Sequence, residues 1–359
     1  MELFTLPDPV HQSLTRWALF GLTGAGARRI PVAMFRGKSR GTGRPATAIV
    51  AGHDPWVGYI PSKLFADGAE RIHLGNVTVW RLDTLLSQLQ ASADLIVARI
   101  DRLSAHLFLR RGYLAVPEWV GARVPVPEDL DRFVARRDGV RSDVALVRRQ
   151  GLLPLVTEGD EGLDAFYRTM YVPFAENRHG ELTFLRTVED LRRRLRSGGI
   201  LWISRGSDRL AGLAFQQRGG TLDLLAIGTA NGDVALVKEG VIAPAYYYSL
   251  DHARRVGCSL LDLRGSRPSL RDGLLRYKAK WGATLYDKSD SYHDLLLRWN
   301  GGNEVVEEFF SLNPLIFREG GGYSGVRGDR AQTVRSLWID GLRRMYQLSP
   351  SGQPPLVAL

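Results

Sequence analysis

Residues 262–283 combine residue types that can bind a phosphate and present a cation to a reacting carbonyl. A short apolar run, residues 260–263, leads into a loop rich in turn residues, and a basic amphipathic stretch ending in Lys-Trp-Gly follows. The segment contains four arginines and two lysines. Loops that follow strands often carry binding and catalytic residues. A cation at such a place stabilises the oxyanion that forms when a carbonyl is attacked.

The length and composition of the chain limit what surrounds this segment. With 359 residues the chain is long for one hydrophobic core, which favours two domains. Its 44% hydrophobic and 24% charged residues are typical of a folded soluble protein. No apolar run approaches the roughly 18 residues of a membrane span, so we expect none. The N-terminus has no basic region followed by an apolar core, so we expect no secretory signal.

The charge balance favours polyanionic partners. Lysine and arginine total 48 against 38 acidic residues, a net charge of +10. Such a balance is typical of proteins that bind RNA, nucleotide phosphates or acidic lipids, and equally of arginine-rich solvated surfaces. Cys258 is the only cysteine, which excludes an internal disulfide and fits a cytoplasmic location. The histidines are scattered without ligand spacing, so we expect no metal site.

The order of predicted elements indicates the fold class. The second half begins with helices at residues 163–171 and 188–195, followed by three strands joined by short turns, which is typical of an antiparallel meander. A helix ending before Gly257, a strand at residues 259–263, the basic segment and two more strands follow. This order matches the GNAT fold of N-acetyltransferases. It predicts a mixed α+β protein with two GNAT-like acyltransferase domains, each a mainly antiparallel sheet flanked by helices.

The predicted domain boundaries follow the same pattern. We assign residues 1–150 to an N-terminal GNAT-like domain, 151–300 to a C-terminal one, and 301–359 to an extension that packs on the domains. The charge-rich residues 132–149 are interpreted as a solvated crossing between the halves. Within the extension, the pattern predicts one helix around residues 333–345.

The C-terminal half resembles the Fem family of acyltransferases over roughly residues 130–300. The matching pieces are the strand that ends in Asp262-Leu-Arg-Gly, the pair Tyr277-Lys278 and the pair Trp281-Gly282. Residues 166–173, followed by Arg178-His179-Gly180, also resemble the opening of the family's second domain. The resemblance implies an aminoacyltransferase that moves an aminoacyl group from aminoacyl-tRNA to an amine. The acceptor would be a peptide, a cell-wall precursor or a small metabolite, an amide bond would form, and no cofactor would be needed.

The resemblance also implies a role for Lys278, which matches the family lysine that stabilises charge at the transfer site. An amine that attacks an activated ester needs proximity, loss of a proton and stabilisation of the oxyanion. Lys278 is the predicted cation near the oxyanion or the terminal phosphate. Asp262 is predicted either to accept the proton of the amine or to be a structural carboxylate that pairs with Arg264 or caps the loop.

Other residues of the two matching segments are predicted to bind the substrates. The predicted contacts to the donor and its tRNA are Arg264, Arg267, Arg271, Arg276, Tyr277 and Lys280. The predicted contacts to the acceptor are Tyr171, Arg178 and His179. Arg271, Arg276 and Lys280 could alternatively be surface charge, and His179 could be a structural side chain. Arg264 and Arg267 are better placed, because they lie in the loop after a strand. Trp281 is interpreted as a packing anchor.

Two other functions compete with this interpretation. An acyl-CoA-dependent N-acyltransferase on the same fold would bind pyrophosphate on a glycine-rich loop after the fourth strand. The corresponding residues 228–240 lack the basic residue and the glycine spacing, and Asp233 would repel a pyrophosphate, which favours a tRNA donor. A non-catalytic RNA-binding protein is the second alternative, and it predicts steeply salt-dependent RNA binding without product.

Overall fold

The computed structural model describes residues 29–53, 58–102, 104–105, 112–179, 185–288, 292–329, 334–348 and 356–358. The contacts divide the chain into two compact units. The first unit is Met1–Val120, Ser266–Leu275 and Leu285–Leu359, and the second is Gly121–Gly265 and Arg276–Thr284. These divisions differ from the predicted boundaries at residues 150 and 300, because segments distant in the chain share one core.

The strands are interspersed with helices along the described part of the chain. They are β1 (Arg29–Lys38), β2 (Pro45–Ala51), β3 (Glu70–Thr78), β4 (Leu95–Asp101), β5 (Leu114–Pro117), β6 (Val120–Pro125), β7 (Leu153–Glu158), β8 (Gly198–Arg205), β9 (Asp208–Arg218), β10 (Thr221–Thr229), β11 (Leu260–Ser266), β12 (Thr284–Tyr286), β13 (His293–Trp299), β14 (Leu315–Glu319), β15 (Gly322–Arg327), β16 (Leu342–Leu348) and β17 (Leu356–Ala358).

The α-helices are mostly short. They are α1 (Tyr59–Leu64), α2 (Val79–Leu89), α3 (Leu130–Ala135), α4 (Asp138–Arg149), α5 (Leu163–Phe166), α6 (Val172–His179), α7 (Val188–Leu195), α8 (Ala235–Lys238), α9 (Ile242–Arg255), α10 (Gly273–Lys280), α11 (Glu304–Leu312) and α12 (Val334–Leu337). A π-helical turn, Tyr167–Tyr171, joins α5 to α6, and one-turn 3₁₀ helices lie at Gln90–Ser92 and Ala230–Gly232.

The strands form three sheets, and the predicted mixed α+β class is confirmed. The first unit holds a six-stranded sheet of order β3-β1-β2-β4-β13-β5 and a four-stranded sheet of order β14-β15-β16-β17. The third sheet has the order β12-β6-β11-β10-β9-β8-β7. In it, β8 to β10 form the predicted antiparallel meander, β7 pairs antiparallel with β8, and β10 and β11 are parallel.

Strand β13 shows why the boundary at residue 300 does not describe the first unit. It lies between β4 and β5 and pairs antiparallel with both, over seven residues with β4. Its Leu295, Leu296 and Leu297 are buried in the cores on the two sheet faces. Main-chain hydrogen bonds and apolar burial therefore assign residues 293–299 to the first unit, although the chain reaches them from the second.

In residues 301–359, α11 and β14 pack in a core of the first unit. Two other expectations are corrected by packing. Residues 132–149 are not a solvated crossing, because α4 buries Val140, Val144 and Val147 in the core of the second unit. The predicted helix at 333–345 is wrong: α12 has four residues, Gly341 adopts φ +96°, and β16 follows, paired with β15. Only glycine adopts such a φ without strain, so the turn separates the two elements.

The sheet of the second unit is covered on both faces. The larger core, on one face, contains apolar residues of α3, α4 and α9. The smaller core, on the other face, contains residues of α5, the π-helical turn and α7. Because side chains of a strand alternate between faces, neighbouring residues of β8 such as Leu201 and Trp202 enter different cores.

Candidate functional site

The parallel strands β10 and β11 separate part of the way along their length. They pair at Thr221 with Leu260, at Leu222 with Leu261 and at Asp223 with Asp262. Both strands are fully described, and no further pairing joins them, although β10 continues to Thr229 and β11 to Ser266. A register shift between Leu224 and Ala226 marks a β-bulge in β10 at this point. Ligands bind beyond the carboxyl ends of parallel strands where neighbours diverge, so this split is the candidate site.

Two buried carboxylates stand where the strands part. Leu222 and Leu224 on β10 enter the larger core, as do the residues flanking Asp262 on β11. Alternation therefore places Asp223 and Asp262 side by side on the opposite sheet face. Asp223 is 3% exposed and Asp262 is 9% exposed. Two adjacent acids with so little exposure are rare unless a function maintains them.

Arg264 lies two residues beyond Asp262 and has an unusual backbone. Its φ of +63° is uncommon for a residue with a side chain. Its main-chain N–H donates to Oδ1 of Asp262 at 2.7 Å, which stabilises this turn. The guanidinium Nη1 is 3.9 Å from Oδ2 of Asp262 and 4.0 Å from Oδ2 of Asp223. Asp262 thus makes the structural contacts that the sequence offered as one alternative, and its role as a proton acceptor stays a prediction.

Lys278 is buried and points inward. Its side chain belongs to α10, and the residue is 2% exposed. The Nζ atom donates to the carbonyl oxygens of Arg264 at 3.1 Å and of Gly265 at 2.9 Å. These carbonyls belong to the part of β11 that has left β10. The ammonium group is therefore held against the backbone of the split and not in bulk water.

Two predicted donor contacts on the same helix are engaged elsewhere in the second unit. The hydroxyl of Tyr277 donates to Oδ2 of Asp143 on α4 at 3.3 Å, and Nζ of Lys280 is 2.6 Å from the same oxygen. Burial raises the pKa of Tyr277, whose ring packs edge-on against Tyr246. Arg276 is half-buried, and burial lowers its pKa. Tyr277 and Lys280 anchor α10 to α4.

The other two predicted donor contacts belong to the first unit. The guanidinium carbon of Arg267 is 4.9 Å from the ring centroid of Tyr59 and 4.2 Å from that of Trp119. Arg271 donates from Nη1 to the carbonyl of Leu312 at 3.2 Å. Both contacts hold the loop after β11 in the first unit, and a role in binding the donor stays a prediction.

The predicted acceptor contacts lie on the π-helical turn and α6. The Tyr171 hydroxyl accepts from the main-chain N–H of Arg186 at 3.0 Å, and the ring stacks on Phe166. Arg178 is exposed, with its guanidinium 5.7 Å from the ring of Phe174. His179 is the last residue of α6, and its side chain lies outside the described residues. The predicted role of these three residues in acceptor binding stays a prediction.

Asp223 is the site residue that the sequence analysis missed. Burial raises its pKa, the neighbouring Asp262 carboxylate adds to this, and the cations of Arg264 and Arg218 oppose it. A signal was present in the sequence, because Leu-Asp-Leu occurs at residues 222–224 and again at 261–263. An acid between two core leucines on each of two strands indicates a polar row on one sheet face. Only the register shows that the two acids are direct neighbours.

The conformation of the loop after β10 disfavours the binding of an anion. Oδ1 of Asp233 accepts from the main-chain N–H of Ala235 at 2.7 Å, at the beginning of α8. The hydroxyl of Thr229 donates to the Asp233 carbonyl at 2.8 Å. Gly232 has φ +68°, and a Cβ there would be 2.6 Å from the backbone of Pro173. The Asp233 carboxylate thus occupies the Ala235 N–H, a donor of the kind that a bound pyrophosphate would use. The loop is also closely packed on α6.

Among the described residues, no group of three or more histidine, cysteine, aspartate or glutamate side chains could hold a metal ion. None of the described helices has the length and apolar character needed to cross a membrane.

Comparisons with known proteins give structural similarity without close sequence relatives. No protein-family model and no curated protein sequence matches the chain. The solved structures similar to it include FemX, at 14% identity and a TM-score of 0.41, covering 82% of this chain and 97% of that one. L-PGS from Bacillus licheniformis has 14% identity and a TM-score of 0.38, covering 82% and 92%. A GCN5-related N-acetyltransferase from Kribbella flavida has 15% identity and a TM-score of 0.30, covering 79% and 93%. FemX and the N-acetyltransferase are of the kinds that the sequence resemblance named. These likenesses concern the fold alone.

Proposed function

We propose that the protein is an aminoacyltransferase that moves an aminoacyl group from aminoacyl-tRNA to an amine of a peptide, a cell-wall precursor or a small metabolite. The observation that supports it is the split between β10 and β11, where Asp223 and Asp262 lie side by side and Lys278 binds the diverging backbone. Such a donor and such acceptors occur in the cytoplasm, where we expect the protein to act.

The proposed reaction needs no covalent intermediate. The amine nitrogen attacks the ester carbonyl carbon, a C–N bond forms, and the C–O bond to the tRNA ribose breaks. Asp262 accepts the proton that the amine loses and returns it to the leaving ribose oxygen, so that the protein ends unchanged. The cations of Lys278 and Arg264 favour the negative charge that develops on the carbonyl oxygen. Nη1 of Arg264 lies 3.9 Å from Oδ2 of Asp262, so a positive charge stands beside this carboxylate.

The choice of donor rests on the loop after β10. An acyl-CoA enzyme of this fold would use main-chain amides there to bind pyrophosphate. Here Asp233 accepts from the Ala235 amide, and its negative charge would repel a phosphate. An ester of tRNA needs no pyrophosphate site, whereas the net charge of +10 favours a polyanionic donor.

The donor can be tested directly. The full chain is incubated with tRNA charged with radiolabelled amino acids and with a panel of amine-bearing peptides and small amines. We expect labelled amide products that disappear when RNase is added before the protein. A parallel reaction contains acetyl-CoA and longer acyl-CoA thioesters without tRNA. Product in that reaction, unaffected by RNase, would establish the acyl-CoA-dependent N-acyltransferase instead.

A non-catalytic RNA-binding protein is the remaining candidate, and the exposed arginines of the second unit favour it. Arg132, Arg136 and Arg149 are exposed on or beside α3 and α4. Binding through such residues would weaken steeply with salt. Salt-dependent tRNA binding without product from any donor would support this candidate over the aminoacyltransferase.

A further inference from the structure

A row of polar side chains crosses three strands at the split. Asp223 on β10 has Gln216 on β9 as its register partner on one side and Asp262 on β11 on the other. Oδ2 of Asp223 and Oε1 of Gln216 are both buried, and neither accepts a hydrogen bond from any residue that the structure describes. Two adjacent buried acceptors without a donor are exceptional, because buried polar groups in folded proteins are almost always hydrogen-bonded.

The nearby arginines do not satisfy this row. Nη1 of Arg264 is 4.0 Å from Oδ2 of Asp223, which is too long for a hydrogen bond. Nη2 of Arg218 is 3.7 Å from the same oxygen, but the Arg218 side chain is 64% exposed, so water screens its charge. Among the described residues, the partly buried guanidinium of Arg264 thus lies near both carboxylates without donating to Oδ2 of Asp223. Burial and then Asp262 raise the pKa of Asp223 although the cations of Arg264, Arg218 and Arg194 oppose this, which agrees with a carboxylate whose charge is incompletely compensated.

A primary ammonium group supplies what the row lacks. It carries three N–H donors and a positive charge in a compact group. It can donate to the Asp223 carboxylate and to the Gln216 amide oxygen at once. A plain acyl chain has neither donor nor charge and would leave both acceptors unsatisfied, which strongly disfavours its binding.

We infer that Asp223 and Gln216 bind the α-ammonium group of the aminoacyl donor. This inference rests on the proposed function and deepens it, because it specifies a donor with an unblocked amino group. In such a donor the ammonium group is attached to the carbon next to the reacting carbonyl. The row lies at the apex of the split, where Asp262 adjoins Asp223, so one bound group would orient the carbonyl toward Asp262.

The test uses small mimics of the donor and the full chain. The probes are a panel of L-amino-acid amides, the same amides with an acetylated amino group, and methylamine. Binding is measured by calorimetry or by chemical-shift changes for the parent, Asp223→Asn and the control Asp208→Asn, an exposed acid at the start of β9. We expect at least one amide to bind the parent and the control equally, and Asp223→Asn to bind it at least 10-fold more weakly.

Each other outcome decides against the inference. Equal binding of the acetylated amides, unchanged affinity in Asp223→Asn, or no binding of any amide would overturn it. Methylamine binding as tightly as the amides would overturn the inference, because the row would then bind the acceptor amine.

A transfer assay distinguishes failure of the ammonium site from failure of the proposed function. Equal rates with N-acetyl-aminoacyl-tRNA and aminoacyl-tRNA would refute the ammonium site and leave tRNA-dependent transfer intact. If Asp223→Asn loses amide binding but the parent protein forms no tRNA-dependent product, the ammonium site stands and the proposed aminoacyltransferase function is refuted.

Discussion

The six-stranded sheet of the first unit and the seven-stranded sheet of the second each contain a parallel strand pair, and the two pairs differ in what they bury. In the first unit, β2 and β4 pair from Ala48 with Leu95 to Ala51 with Ala98, up to the end of β2. All eight of these residues are apolar and at most 1% exposed. In the second unit, β10 and β11 part after three residues, at Asp223 and Asp262. The same strand arrangement thus buries only apolar side chains in one unit and two carboxylates in the other.

The buried carboxylates of the two units differ in the same way. Glu118 in the first unit is 6% exposed, and Arg99 donates to its two oxygens, each at 3.1 Å. Asp223 in the second unit is as deeply buried, yet its Oδ2 receives no hydrogen bond from the described residues. A buried charge that is fully paired supports the fold, whereas one left unsatisfied lowers stability and is maintained for another reason.

The largest effect is expected from Lys278→Met. It removes the cation from the split while keeping the apolar length of the side chain, so we expect product formation to fall by on the order of 10³. Affinity for tRNA should change far less. The carbonyls of Arg264 and Gly265 lose a donor, and each costs about 1–3 kcal/mol.

Denaturant unfolding of Lys278→Met separates the loss of activity from loss of fold. Lys280→Met is the matched control, because it lies on the same helix but pairs with Asp143. Turnover that stays at the parental value in a folded Lys278→Met protein would refute a catalytic role for this lysine.

A smaller loss is expected from Asp262→Asn. The amide oxygen can still accept from the Arg264 main-chain N–H, so the turn should persist, but the side chain can no longer take up a proton. We expect turnover at neutral pH to fall by on the order of 10² and the rate to rise with increasing pH as the amine loses its proton to solvent. Single-turnover rates measured against pH check this. A pH profile and a rate that match the parent would leave Asp262 with its structural contacts alone.

The third prediction contrasts two carboxylates by their effect on stability. Glu118→Gln breaks a buried pair and leaves Arg99 uncompensated, so we expect the free energy of unfolding to fall by about 3 kcal/mol. Asp223→Asn should instead raise the free energy of unfolding at neutral pH, because it removes a buried charge that lacks a donor. Denaturant titrations of both variants measure the two changes, and destabilisation by Asp223→Asn would show that this carboxylate supports the fold.

The pH dependence of the Asp223 effect has a definite sign. The pKa of Asp223 is raised in the folded protein, first by burial and then by Asp262. The unfolded chain has an aspartate pKa of about 3.9, so the folded protein binds this proton more tightly. The contribution of Asp223 to stability therefore falls as pH rises from about 3.9 through the folded-state pKa. The advantage of Asp223→Asn should vanish below about pH 3.5 and be complete above the raised pKa. An advantage that does not depend on pH would contradict this cause.

The smallest effect is expected from Asp233→Ala in the loop after β10. Loss of the hydrogen bond to the Ala235 amide should lower the free energy of unfolding by about 1 kcal/mol. Because the loop stays packed on α6, we expect no measurable binding of acetyl-CoA to this variant. Calorimetry with acetyl-CoA checks this, and micromolar binding would make Asp233 the one obstacle to a CoA donor.

Local patterns in the sequence predict much of the second unit. The three strands of the meander, the helix before Gly257 and the strand at Asp262 are found close to their predicted places. They are predictable because turn glycines and apolar periodicity act over a few residues. The helix predicted at residues 333–345 failed where β16 pairs with β15, a contact between segments that local propensity does not describe.

The sequence by itself determined the α+β class, the basic segment and the choice of Asp262, Arg264 and Lys278 as neighbours of one strand end. Only the tertiary structure decided which charges meet. It paired Lys280 with Asp143, directed Lys278 to the backbone of β11, and set Asp223 beside Asp262. Strand register and helix docking depend on long-range burial of apolar side chains, and no spacing along the chain encodes the resulting contacts.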